Sequence, residues 1–292
     1  MRWFDWIITL FLISSVIFIM AKMKDDEEPY YVLKIILYYL LGAFRFSFNQ
    51  IHMPLGFIIF FLFLRSPQNN QRGKRYAAGL GLIAFAVALI IPAIGESYYE
   101  RTRYVELETT NVYEFNFQSH WQEVAEKLEL NENAMSRARI EELDIDYTEK
   151  GELKRLSYEV TWTKEGKLHH ARISFHEGKK KFSIRAVKIE EWLQYDRLIS
   201  AKKLFEMLDQ IEIEDLTPKG NFSYYSLRSG EWGSFGASNG KNFIVEENKI
   251  VPFTGELPVK CYWIVTFGMK QTGEYSYSSA DEHYYLFNVH YE

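Results

Sequence analysis

Residues 76–95, YAAGLGLIAFAVALIIPAIG, run for twenty positions without a charge. At about 1.5 Å of rise per residue, an α-helix of about twenty apolar residues crosses a hydrocarbon core of about 30 Å. A helix that is hydrophobic all round has to be buried in protein or in lipid. A membrane-spanning helix is therefore expected here, and the rest of the chain has to be organised around it. Ala77, Gly81, Ala84 and Ala88 recur at four- and three-residue spacing along it, a stripe that lets another helix approach closely.

Three more apolar stretches precede it. Residues 3–20 are interrupted only by Asp5, Thr9 and the pair Ser14 and Ser15. The run is long, its start holds Arg2 as the sole basic residue, and no small-residue cleavage site follows, so it reads as a retained helix rather than a removed signal. Trp3 and Trp6 suit a membrane–water interface. Residues 30–44 and 53–64 are each short for a full crossing and fit either two short spans or an interfacial helix followed by one span. Residues 1–99 are accordingly expected to form an α-helical membrane region of three or four spans.

Orientation rests on RSPQNNQRGKR, residues 65–75, which carries Arg65, Arg72, Lys74 and Arg75 and no acid. Short basic loops stay cytoplasmic, which places everything after residue 95 outside the cytoplasm in a multi-pass cell-membrane protein. The segment KMKDDEEP, residues 22–29, has both signs and leaves the side of the N-terminus open. Ionisable residues within spans mark transport paths. The candidates Asp5, Lys34, Arg45 and His52 can all sit near interfaces, so the region reads as an anchor.

Charge separates the two parts of the chain. Residues 1–99 hold nine Lys/Arg against six Asp/Glu, and the remainder carries a net charge of −8. An acidic soluble part argues against nucleic acid as partner, because phosphate binding needs a basic face. The expected partners are membrane lipid and another envelope or membrane protein. Cys261 is the single cysteine, flanked by the strand-like VKCYWIVTF. It offers no disulfide and no metal or redox pair, and is read as a small buried hydrophobe.

Beyond residue 100 the periodicity turns amphipathic. SHWQEVAEKLEL, residues 119–130, places Trp121, Val124, Ala125 and Leu128 on one helical face, with Ser119 and Gln122 as a capping box. A second helical piece, NENAMSRARIEELD, is expected to follow. The period then becomes two: Leu156, Tyr158, Val160 and Trp162 alternate with polar residues, and glycine-containing turns lead to strands at 169–175 and 182–189. SAKKLFEMLDQI, residues 200–211, reads as another helix capped by Ser200, followed by strand-like runs at 221–227, 242–247, 259–267 and 283–291. The order of a helix followed by strands thus recurs. An α+β soluble part is expected, a helix packed on an antiparallel sheet, as two tandem units over 100–195 and 196–292 after the transmembrane region 1–99.

This arrangement resembles the cystatin-like shape of bacterial PepSY-type extracytoplasmic modules. YEVTWTKEGKLHHARISFHEGK and the helix before it carry the resemblance, with CYWIVTF and YLFNVHY as a looser second match. What the resemblance implies is a non-enzymatic regulatory module acting on peptidases or other envelope proteins, with no catalytic residue to carry over.

Candidate chemistry is sparse. GASNG, residues 236–240, matches the G-x-S-x-G pattern, and Ser238, Asp281 and His283 or His290 follow in hydrolase order. A nucleophile elbow needs a strand before the serine and a helix after it. Here turn glycines precede and a strand follows, so Ser238 is read as a turn residue, with an envelope serine hydrolase as the alternative. His169 and His170 point to opposite faces of a strand, and no histidine pair converges locally. No metal site and no cofactor is expected. Asp144, Asp146, Asp281 and Glu282 are read as solvated acids. The aromatic loops are the candidate binding surface, through Trp232, Phe235, Tyr275 and Tyr277, whose exposed rings would contact a partner. The alternative for Trp232 and Phe235 is that they plug the open face of the sheet. The expected function is a membrane-anchored, extracytoplasmic, non-enzymatic binding or regulatory module, with an accessory subunit of a membrane complex as a further alternative.

Overall fold

Two apolar helices open the chain, α1 (Arg2–Lys22) and α2 (Tyr31–Ala43), followed by a small hairpin of β1 (Phe46–Phe48) and β2 (Ile51–Met53). A short α3 (Leu55–Ile59) runs into a π-helical turn over Phe60–Leu64, and the long α4 (Gln71–Glu100) comes next. The structure, a computed structural model of the chain, describes residues 2–48, 51–64, 69–189, 197–236, 239–246 and 249–291. It forms two compact units, Met1–Tyr98 and Tyr99–Glu292.

The expected three or four spans are corrected by this structure. Among the described residues one helix, α4, is long and apolar enough to cross a membrane, whereas the apolar stretch Trp6–Lys22 and α2 are both shorter. The reason lies in what interrupts the other segments. After α2 ends at Ala43, strands β1 and β2 pair antiparallel, and Pro54 then starts a helix of only five residues before the geometry changes.

The first unit is held by an apolar cluster of Ile19, Tyr31, Ile35 and Ala77. The small residues of α4 serve within the chain: a Cβ at Gly81 would lie 2.2 Å from the carbonyl oxygen of Tyr39, and one at Gly42 would lie 2.1 Å from that of Ala78. Glycine is therefore what allows α2 and α4 to touch backbone to backbone. At the end of this pair Glu28 accepts hydrogen bonds from Lys74 Nζ at 2.8 Å, Lys34 Nζ at 2.7 Å and Asn70 Nδ2 at 3.0 Å. Asn70 Oδ1 in turn accepts the backbone N–H groups of Asp25 and Asp26. These bonds, Asn70 first, hold the Glu28 carboxyl down to about 2.

The second unit begins with the edge strand β3 (Arg103–Glu106), then α5 (Phe117–Lys127) and α6 (Glu132–Arg137). Asn116, rather than Ser119, caps α5, accepting the Ser119 N–H at 2.7 Å. The second helical piece is cut short, because Ile140, Leu143, Ile145 and Tyr147 bury themselves along a strand, β4 (Arg139–Tyr147). The meander follows as expected: β5 (Leu153–Lys164), β6 (Lys167–His176) and β7 (Lys181–Ile189). Then come β8 (Ile199–Ser200), α7 (Ala201–Gln210), α8 (Ile213–Leu216), β9 (Tyr224–Ser229), β10 (Gly233–Phe235), β11 (Lys241–Glu246), β12 (Lys249–Pro252), β13 (Val259–Gly273) and β14 (Ser276–His290).

These strands form one mixed 12-stranded sheet in the order β12-β11-β14-β13-β9-β4-β5-β6-β7-β3, with β10 paired to β13 and β8 to β4. Strands β11 and β14 run parallel; the other described neighbours in this sheet are antiparallel. The expectation of two tandem antiparallel units is thereby corrected. Strand β4 is bonded to β5 along one edge and to β9 along the other, so the meander and the later strands are continuous. An unpaired β4 edge would leave a row of backbone donors and acceptors open, and β9 satisfies it. Helices α5 and α7 likewise share one layer, with the Phe117 and Phe205 rings stacked 6.1 Å apart and Trp121 against Phe205 at 6.0 Å.

Candidate functional site

The alternation of the meander strands decides which side chains face the helices and which do not. Along β5, Leu156, Tyr158, Val160 and Trp162 enter the core, which leaves Arg155, Ser157, Glu159 and Thr161 on the opposite face. Register places Glu159 opposite Arg172 and Thr161 opposite His170 on β6, and Arg172 opposite Arg185 on β7. The result is a polar sheet face, turned away from α5 and α7, whose partners come from neighbouring strands of the meander.

A β-bulge adds one residue to this face. Ile140 pairs with Val160 and Glu142 with Glu159, so Glu141 is the extra residue between them. Bulges re-aim side chains, and the Glu141 carboxylate here reaches His170, with Oε2 at 3.4 Å from Nε2. Glu159 Oε2 approaches the same nitrogen to 3.0 Å, while the Arg172 guanidinium grips Glu159 Oε1. The three ligand-type atoms of Glu141, Glu159 and His170 lie within 4.8 Å of one another. Burial pushes the Glu141 carboxyl above its ordinary range, and the Glu159 and Glu142 charges add to this against His170. Burial presses Glu159 the same way, but the bonds from Arg172 and His170 win and hold it low.

Around this cluster the face is grooved. A depression of about 340 Å³ is lined by Glu142, Arg155, Ser157, Glu159, Arg172 and Ser174. A shallower one of about 530 Å³ shares Arg172 and Ser174 and continues past His170 to His176 and Arg185. Asp144 is buried beside the first, bonded to Arg155 Nη2 at 3.1 Å and near Arg228 Nε at 3.5 Å. Asp146 accepts from Ser226. The two aspartates are thus cross-strand partners on the sheet, not acids at a helix end.

The two adjacent histidines separate as strand geometry requires. His169 is buried, with Nδ1 at 2.6 Å from the Tyr99 hydroxyl and its ring stacked on Trp162. Burial, then the nearby Lys188 and Lys164 charges, lower its pKa.

The aromatic candidates divide. Phe235 is buried, packed with Val259, Cys261 and Leu286 and touching the rings of Trp263 and Tyr284. Trp232 is half-buried against the main core, its ring edge-on to His290. These two serve packing. Tyr275 is 88 % exposed at the tip of the β13–β14 hairpin, and Tyr277 is exposed with its ring against Tyr224. Of the basic residues used for orientation, Arg72 is exposed, Lys74 is buried against Glu28, and Arg65 lies outside the described residues. Ser238 also lies outside the described residues, and the strand β11 begins just after it. Asp281 Oδ1 sits 3.3 Å from His283 Nε2, as a hydrolase pair would, yet Lys241 Nζ reaches the same nitrogen at 3.2 Å and the Tyr285 hydroxyl lies 3.5 Å from Nδ1. Both ring nitrogens are therefore engaged by groups other than a serine.

Sequence reasoning missed Glu141 and Glu159. The period-two pattern placed Glu159 on the wet face of its strand, but the bulge that brings Glu141 alongside has no local signature.

A family model, described as an archaeal family, matches residues 118–284, more than half of the chain and including every residue of this cluster. No curated protein and no solved structure matches the chain.

Proposed function

We propose that the chain, which belongs to that archaeal family, is a membrane-anchored, non-enzymatic binding module. In this reading α4 crosses the lipid, and residues 99–292 present the polar face of the sheet, outside the cytoplasm, to another protein of the cell envelope. The observation that carries the reading is the uncovered sheet face. The helices α5 and α7 bury the apolar side, while the other side is left with two adjoining depressions and an array of paired charges. A fully exposed face would carry simple surface charges; here Asp144, Thr161 and Ser226 are buried on it, as expected of a surface shaped for contact. The exposed apolar side chains of the first unit support the anchor. The resemblance of the meander to PepSY-type modules supports a regulatory role.

Site-specific photocrosslinking in native membranes tests this. A crosslinker at Ser174 or Arg185 on the polar face is expected to give one discrete adduct that the same group at Glu123 or Lys127 on α5 does not give. Equal adducts from both faces, or none from either, would contradict the reading.

A further inference from the structure

Two carboxylate oxygens converge on one imidazole nitrogen, and that convergence needs a positive centre. Glu141 Oε2 and Glu159 Oε2 stand 3.4 and 3.0 Å from His170 Nε2. If that nitrogen is unprotonated, three lone pairs face one another. If it is protonated, a single N–H must serve two acceptors at once. Arg172 compensates only Glu159 and holds its other oxygen, Oε1, which leaves Oε2 turned toward His170.

The spacing suits a metal ion. Zinc binds imidazole nitrogen and carboxylate oxygen at about 2.0–2.2 Å, so the ligand atoms of a tetrahedral site stand about 3.3–3.6 Å apart. The Glu141–His170 separation of 3.4 Å lies in that interval, and the Glu159–His170 separation of 3.0 Å needs only a few tenths of an ångström.

An independent observation points into the same place. Thr161 is fully buried at 0 % exposure, and its Oγ1 has no hydrogen-bond partner among the described residues. It lies on the same face as Glu159, two residues along β5, and directly across the ladder from His170. Glu141 Oε1 is also buried without a partner. A buried hydroxyl left unpaired keeps its whole desolvation penalty, so its place across the ladder from His170, on the face that carries Glu159, calls for a partner. A water on an ion held by the three side chains would supply that partner.

We infer that Glu141, Glu159 and His170 bind one divalent transition-metal ion of the zinc type, with Arg172 orienting Glu159 and Thr161 bonded to a metal-bound water. Three protein ligands leave a fourth position for that water. The ligand set comes from β4, β5 and β6, so the ion also ties the bulge of β4 to the meander. This goes beyond the binding-module reading and does not depend on it: the site is a property of the folded chain whether or not the face docks a partner.

Zinc itself is the probe. The full chain, purified in detergent and stripped with chelator, is dialysed against buffered Zn²⁺, and bound metal is counted by mass spectrometry. One equivalent is expected, with affinity lowered at least tenfold by Glu159→Gln and by His170→Gln, and less by Thr161→Val. X-ray absorption at the zinc edge is expected to show nitrogen and oxygen ligands with no sulfur. Zinc is also expected to raise the unfolding midpoint of the parent chain and of Thr161→Val, but not of the isosteric Glu141→Gln, which keeps the test valid should a histidine variant fold poorly. No retained zinc, or equal retention by parent and Glu141→Gln, overturns the assignment.

Discussion

The two units of the chain solve the same packing problem with opposite materials. In residues 1–98 the interior contact between chain segments includes a charged network, Glu28 with Lys34, Lys74 and Asn70, while the outside is apolar. Apart from Tyr104, Val251, Tyr275, Tyr277 and Tyr291, every exposed large hydrophobic side chain among the described residues belongs to this unit. In residues 99–292 a large apolar core runs from Val105 to Phe287 with a smaller cluster around Phe235, and charges are paired on the surface. Leu10, Phe11, Phe18, Leu37, Phe63 and Ile90 are all exposed in the first unit, and apolar side chains exposed in such numbers mark a surface for lipid or for an apolar partner. In the proposed reading each unit is built against a different solvent: lipid removes the hydrophobic drive between helices and rewards small-residue contacts and polar bonds, whereas water rewards burial of apolar area.

Four substitutions break or sharpen this contrast, in descending order of effect. Phe205→Ala removes a fully buried ring that touches Phe117, Trp121 and Tyr158. It is expected to cost about 3–5 kcal/mol in a denaturant titration read from residues 99–292. Ile83→Arg puts a charge on an exposed apolar position of α4. If α4 lies in lipid, an insertion assay will report a penalty of about 2.5–3.5 kcal/mol; in a water-facing helix the same change would be nearly silent.

The third concerns pH. Burial takes His120 from an ordinary 6.5 to about 3, between Phe115, Phe182 and the hydroxyl of Tyr158. The unfolded chain therefore binds a proton that the folded one refuses, so stability is fully present above about 6.5 and falls as pH drops toward 3. At pH 5 the loss is expected to be about 2 kcal/mol. The pair His120→Leu with Tyr158→Phe, which leaves no orphaned hydroxyl, should flatten much of this slope in urea titrations at pH 7.5 and 5. The smallest effect is expected from Glu28→Gln in the first unit. Glu28 and Lys74 have side chains 7 % and 5 % exposed, and glutamine removes the charge while keeping a side-chain oxygen to accept the hydrogen bonds of the network. A loss of about 1–2 kcal/mol in detergent unfolding is expected, with a further fall in the salt dependence.

What could be read from the residues was what short range decides. The uncharged run at 76–95, the three meander strands and the helix at 201–210 are all written in local periodicity, and the structure carries them. RIEELD falls within the expected second helical piece; Glu, Leu and Arg favour helix, and tertiary burial of Ile140, Leu143 and Ile145 overrides that preference. The β4–β9 pairing and the parallel β11–β14 pairing join segments far apart in the chain, and no local pattern fixes such a register. The count of spans failed for a related reason: apolar composition alone does not fix how far each helix runs, and α2 ends at Ala43 and α3 at Ile59. At the candidate site, the opposite orientation of His169 and His170 was legible from strand alternation. The arrival of Glu141 through a bulge was not.

Photolabelling with an apolar carbene reagent dissolved in the bilayer tests the two-solvent account most directly, because it marks side chains that meet lipid in the intact protein. Label is expected on peptides carrying Phe11, Phe18, Ile83 and Ile90, with peptides from residues 99–292 left unmarked. Label concentrated in residues 99–292, or a chain released from membranes by alkaline wash without any label, would contradict it.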